Sequence, residues 1–122
     1  EGVSRLLSRL LDAPLVLQRY SRLAYDCNRP PDSPGAMPEM SETTPIPGNM
    51  GLSARDKMAR VSAIYWPFHE RLARMLDQRA CEGRATSLVT IHSFTKMYKG
   101  KEREVELGKG IRCDEGLEIL GG

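Results

Sequence analysis

The sequence predicts an α/β fold on three observations. One long amphipathic stretch opens at Ser53 and closes at Gly83, apolar or β-branched runs flank it at Leu15-Val16-Leu17 and Ser87-Leu88-Val89-Thr90-Ile91, and together they read strand, helix, strand. A strand that returns through a helix to a second strand makes a right-handed crossover and a parallel pair. The 122 residues allow one domain, and 40% hydrophobic with 28% charged residues is the composition of an ordinary globular chain.

The elements follow in order. Val3, Leu6, Leu7, Leu10 and Leu11 recur at helical spacing with Arg5 and Arg9 opposite, and Asp12-Ala13-Pro14 closes the helix, because the residue before a proline is driven out of the helical region. Leu15-Val16-Leu17 reads as a buried strand, and Leu23-Ala24-Tyr25 as a second one beyond polar residues 18–22. From 28 to 52 the character changes: Pro30, Pro31, Pro34, Pro38, Pro45 and Pro47 fall among glycines, which leaves little room for regular structure. Stiff proline-rich chain loses less entropy on ordering than a Gly/Ser linker, so the segment is expected to be an ordered loop within the domain. Ser53 with Asp56 three places later starts the long helix, and Gly83 ends it. Its apolar stripe is Ala54, Met58, Val61, Tyr65, Phe68, Leu72 and Met75, interrupted by Pro67, which should kink it. The tail from Tyr98 to Gly122 carries one weak strand.

Charge and cysteine usage narrow the function. Eighteen basic against sixteen acidic residues give +2, spread evenly, so no nucleic-acid partner is expected. No apolar run reaches the roughly 18 residues that cross a bilayer, and no signal pattern opens the chain, so no membrane partner is expected and the cytoplasm is the expected compartment. Cys27, Cys81 and Cys113 are widely spaced and form no Cys-x-x-Cys pair, which fits reduced thiols. The chain opens on Glu1 inside a helical pattern and is read as part of something longer.

Ligands of open α/β sheets collect beyond the carboxyl ends of the strands, where His92-Ser93 and Asp26-Cys27-Asn28-Arg29 are expected. An imidazole there can bind a divalent metal or move a proton near neutrality. A lone histidine is more often structural, and His69, beside the apolar stripe, is expected to pack or cap. Arg19, Arg22 and Arg29 with Asn28 offer planar forks that suit a carboxylate. Cys27 paired with His92 would be a nucleophile, although a small buried thiol is the default for this residue type.

Several stretches are more specific than their chemistry. Residues 15–23, Asp26-Cys27-Asn28-Arg29-Pro30-Pro31, the loop from Glu39 through Ser41-Glu42-Thr43-Thr44-Pro45-Ile46-Pro47-Gly48-Asn49, Leu52-Ser53, Pro67-Phe68-His69 and Ile91-His92-Ser93-Phe94-Thr95 resemble, in order and spacing, the N-formylglutamate amidohydrolase family. The resemblance runs from about Val3 to about Gly100, a middle portion of the family's length. It implies a three-layer αβα, zinc-carboxypeptidase-like (phosphorylase/hydrolase-like) fold, here a partial domain. It implies zinc as cofactor, removal of a formyl or related acyl group from an N-acyl amino acid such as N-formylglutamate, and a place in histidine catabolism. By the same resemblance His92 looks like a zinc ligand, and Arg22, Asn28, Arg29, Arg19 and Asn49 look like substrate-side residues. Lys96 stands where relatives usually have proline, and Val105-Glu106-Leu107-Gly108 replaces a stretch that usually contains Trp-His. The competing expectation is a non-catalytic portion of the family fold acting as a binding or oligomerising module. An exposed sheet edge and an uncovered apolar face would then pair copies into a homo-oligomer.

Overall fold

The computed structural model describes residues 1–92 and the strands Met97–Tyr98, Lys101–Glu102 and Ile111–Arg112. It opens with α1 (Gly2–Leu10). The helix stops where Asp12 takes the left-handed conformation (φ 47°), and Ala13 N–H donates to the Ser8 carbonyl at 2.9 Å. Leu7 of its apolar stripe is half-buried and the rest of the stripe is exposed. Ser4 is 8% exposed, whereas Val3, Leu6 and Leu10 are 64%, 57% and 71% exposed, so the apolar stripe points outward.

Residues 13–39 contain no helix or strand, which corrects both strands expected before the proline-rich stretch. A strand exists only against a hydrogen-bonded neighbour, and no backbone bond among the described residues reaches 15–17. Residues 22–24 form a turn instead. Ala24 N–H donates to the Ser21 carbonyl at 2.9 Å and Leu23 N–H to the Ser21 hydroxyl at 3.2 Å, while side chains from elsewhere take the Leu23 and Ala24 carbonyls. The proline-rich stretch carries short regular pieces: an antiparallel pair of β1 (Met40–Ser41) and β2 (Thr44–Pro45), then a 3-10 helix, Pro47–Asn49.

The long helix is divided into three. Ser53 Oγ accepts the Asp56 N–H at 3.1 Å and starts α2 (Ala54–Arg60). A π-helical turn, Val61–Tyr65, follows, and α3 (Trp66–Cys81) runs on to a stop at Gly83 (φ +67°). The proline predicted to kink the helix stands at the head of α3, and the change of winding comes just before it. Trp66 N–H bonds to Val61 O, five residues back, and Ile64 O accepts from the Gln18 side chain at 3.4 Å. Of the expected stripe Val61 is buried and Met58 is 60% exposed, while Ile64, outside that stripe, is buried.

The three strand pairs described are all antiparallel: β1 with β2, β3 (Leu88–Val89) with β6 (Ile111–Arg112), and β4 (Met97–Tyr98) with β5 (Lys101–Glu102). The expected parallel crossover onto 87–91 is thereby corrected, since β3 takes its partner from the tail rather than from residues 15–17. What stands is a mixed helix and small-sheet chain. Its buried cluster is Tyr25, Ala36, Met37, Val61 and Ile64, flanked by Ala24, Cys27, Leu52 and Tyr65. This core joins the turn at 22–29, the proline-rich stretch and the π turn. Phe94 and Thr95 lie outside the described residues, as does Cys113.

Candidate functional site

The polar residues singled out around 22–29 are carried on a segment locked from behind. Asn49, at the end of the 3-10 helix, is 2% exposed. Its amide nitrogen donates to Leu23 O at 2.7 Å and Pro38 O at 2.8 Å, and its oxygen accepts from Arg60 Nη1 at 2.6 Å. Arg60, the last residue of α2, also donates from Nη1 to Ala24 O at 2.9 Å and from Nη2 to Gly48 O at 2.6 Å. Five bonds thus tie the 23–24 turn, Pro38 and the 48–49 turn to one helix end. The three from the Arg60 guanidinium are charge-assisted and about twice as strong as neutral ones, and four of the five satisfy carbonyls that have no strand to join. Nothing in the sequence singled out Arg60, because its role depends on two backbone carbonyls and the Asn49 side-chain oxygen that only the folded chain brings together.

In front of this lock lies an exposed arc. Arg22 faces Asp26 at 3.6 Å, the Asp26 carboxylate also accepts the Asn28 N–H at 3.0 Å, and Asp26 N–H donates to Ala36 O at 2.8 Å. Asn28 and Arg29 are exposed, and the Arg29 carbonyl accepts a long bond from the Tyr25 hydroxyl at 3.4 Å. Arg22, Asn28 and Arg29 therefore share one short arc. Arg19 stands apart from it, on the rim of two grooves. One, of about 380 Å³, lies between α1 and residues 15–19 and is also lined by Arg5 and Arg9; the other, of about 220 Å³, lies against the π turn and α3. Asn49, expected on the substrate side, lies instead behind the arc with both amide hydrogens and its oxygen engaged. His92 is exposed, and no hydrogen bond or ion pair among the described residues joins it to the arc.

Cys27 occupies a half-buried niche. Gln18 Nε2 donates to its sulfur at 3.2 Å, and the thiol faces Ile64 O at 4.0 Å. Burial pushes its pKa up, against the Gln18 bond, so the neutral thiol is favoured. The neighbouring histidine is His69, not His92, and its Nε2 meets the Cys27 carbonyl at 2.9 Å rather than the sulfur. That arrangement is a side-chain-to-backbone hydrogen bond. Tyr65 extends it, with its ring 4.3 Å from His69 and 5.5 Å from Tyr25.

A catalytic zinc takes about three protein donors and one open position. Among the described residues no three of His, Cys, Asp and Glu converge, and His69 is engaged with backbone, which leaves His92 as one imidazole. The described donors do not by themselves fit a catalytic zinc.

A mixed helix and small-sheet chain presenting arginine and amide groups on a locked loop defines a class of domain, and comparison with known proteins places it. The sequence profile of the N-formylglutamate amidohydrolases matches residues 1–118, and the chain belongs to that family. It is similar to a solved structure, the gene product Atu2144 from Agrobacterium tumefaciens, at 54% identity and a TM-score of 0.82 over 86% of this chain. The match covers 42% of that protein, so the chain spans less than half its length. No curated protein matches. No helix among the described residues is long and apolar enough to cross a membrane.

Proposed function

We propose that this chain forms part of a hydrolase that removes a formyl or related acyl group from an N-acyl amino acid, N-formylglutamate in the first instance. Family membership over residues 1–118 is the observation that carries the reading. In it, Arg22 and Arg29 bind the substrate carboxylates through their guanidinium forks, Asn28 donates from its amide, and Arg19 adds positive charge from the groove rim. Asn49 and Arg60 hold the arc in place and do not touch substrate. Zinc belongs to the proposal, with His92 as one ligand and the others from outside the described residues; when bound, it would acidify water and polarise an amide carbonyl. The three-layer zinc-carboxypeptidase-like architecture, a cytoplasmic location and a role in histidine catabolism are parts of the same reading.

The test is release of formate from N-formyl-L-glutamate, with zinc supplied and with zinc chelated. Arg29→Ala should raise KM by roughly tenfold, the loss of one charge-assisted contact of about 1.4 kcal/mol. No formate, with zinc present, from a full-length family domain that carries residues 1–122 would overturn the reading. The alternative, a binding or oligomerising module, is favoured by one observation, the outward leucines of α1.

A further inference from the structure

The peptide unit between Cys27 and Asn28 is held at both ends. Its N–H, on Asn28, donates to Asp26 Oδ1 at 3.0 Å, and its carbonyl, on Cys27, meets His69 Nε2 at 2.9 Å. A carbonyl oxygen only accepts, so the hydrogen sits on Nε2 and the imidazole is the donor. The unit is planar, so fixing its two polar ends fixes the direction in which the chain enters Asn28. The next unit is tied within the turn: Arg29 N–H donates to the Asp26 carbonyl at 2.9 Å, and the Arg29 carbonyl takes the bond from Tyr25. Those partners belong to the arc and move with it. His69 belongs to α3, 42 positions away in sequence. Arg60 anchors the start of the arc at Ala24, and Ala36 takes the Asp26 N–H. Beyond Asp26, the backbone of the arc is tied from outside, among the described residues, by His69.

His69 is itself held by rings. Tyr65, one turn earlier on the same helix face, lies 4.3 Å from it, Phe68 stands edge-on at 5.4 Å, and Tyr65 reaches the buried Tyr25 at 5.5 Å. Asn28 and Arg29 are exposed above this backing. Donors fixed before a ligand arrives lose less freedom on binding it.

We propose that His69 is a positioning residue for carboxylate binding: by donating from Nε2 to the Cys27 carbonyl it sets Asn28 and Arg29 from α3, without touching substrate. What the arc binds rests on the hydrolase reading above; what holds the arc rests on the geometry alone.

Two substitutions separate the donor from the ring. His69→Phe keeps a ring against Tyr65 and removes the donor, whereas His69→Gln keeps an N–H donor and removes the ring. In the chain itself, hydrogen exchange at the Asn28 and Arg29 amides should quicken about fivefold in His69→Phe and stay near the unaltered rate in His69→Gln. The Lys57 amide, bonded to Ser53 O in α2, should not change in either. In a full-length family domain that carries residues 1–122, His69→Phe should raise KM for N-formyl-L-glutamate roughly tenfold with kcat unchanged, and His69→Gln should keep KM near its unaltered value. A merely structural loss would instead lower kcat through the folded fraction and leave KM constant. Unchanged exchange at Asn28 and Arg29 in a folded His69→Phe overturns the tie, and quickened exchange with unchanged KM overturns its part in binding. If His69→Phe fails to fold, Lys57 quickens as well and His69→Gln decides: unaltered exchange and KM support the donor, and a loss of both overturns it. If the unaltered full-length domain releases no formate, the hydrolase reading fails, and the exchange rates still decide whether His69 fixes the arc.

Discussion

Around Arg60 the chain buries polar groups and satisfies them, whereas along α1 it exposes leucines and buries a serine. Arg60 and Asn49 gather four carbonyls, of Leu23, Ala24, Pro38 and Gly48, and no buried side-chain nitrogen or oxygen among the described residues lacks a partner. At α1 the Leu6 and Leu10 side chains are 57% and 71% exposed. The first region is complete by its own contacts and the second is not. A small core can be closed by hydrogen bonds drawn from nearby turns, because each needs one donor at one place. An apolar helix face needs a whole opposing surface, and no described element supplies it.

The largest expected effect lies in the locked region. Arg60→Ala leaves the Ala24 and Gly48 carbonyls and the Asn49 oxygen without their donor, and should destabilise the chain by about 3 kcal/mol. Denaturant titration measures this. A loss below about 1 kcal/mol would mean that water replaces the guanidinium, and that the turns around it are held by the apolar core instead.

An intermediate effect comes from Tyr25 at the centre of that core. Burial is the largest cause raising its pKa, from 10.0 to about 12, with Tyr65 and Cys27 adding to it. The folded state thus holds the phenolic proton more tightly than the unfolded state. The stability this contributes is fully present below the unfolded value and is lost as pH rises through 10 toward about 12. Melting temperature should fall across that window. Tyr25→Phe should flatten the fall while costing less than about 1 kcal/mol near neutrality, since the bond it removes is long. An unchanged alkaline slope in the variant would place the transition on another group.

The smallest effect belongs to α1. In the isolated chain Leu10→Ser should change stability by less than about 0.5 kcal/mol, because the side chain leaves one exposed position for another. A cost of 2 kcal/mol or more would show that the leucine is covered, and the contrast between the two regions would break.

Much of the helical structure was legible in the sequence. Ser53 with Asp56 marked one helix start, Asp12-Ala13-Pro14 and Gly83 marked two stops, and Pro67 marked the break, because each acts on backbone within one turn of itself. The strands were legible only in part. Leu88–Val89 is paired, but its partner is Ile111–Arg112, and Leu15-Val16-Leu17 has a strand's composition without a strand's neighbour among the described residues. Pairing is a property of two distant segments, so composition on one side cannot fix it.

The candidate site divides in the same way. The arc of Arg22, Asn28 and Arg29 was readable because three polar side chains sit close together in sequence beside a proline-rich turn. Asn49 was singled out without its burial being visible, and Arg60 was not singled out at all.

The sequence by itself determined the family, the helix limits and the residue types of the polar arc, since local backbone chemistry and ordered motifs are written in neighbouring residues. Only the tertiary structure decided that Asn49 points inward to Arg60, that Leu23–Tyr25 turns rather than extends, and that the leucines of α1 face out. Each of these depends on which distant groups share a place in space, and the free energy that settles it belongs to the contact rather than to either residue.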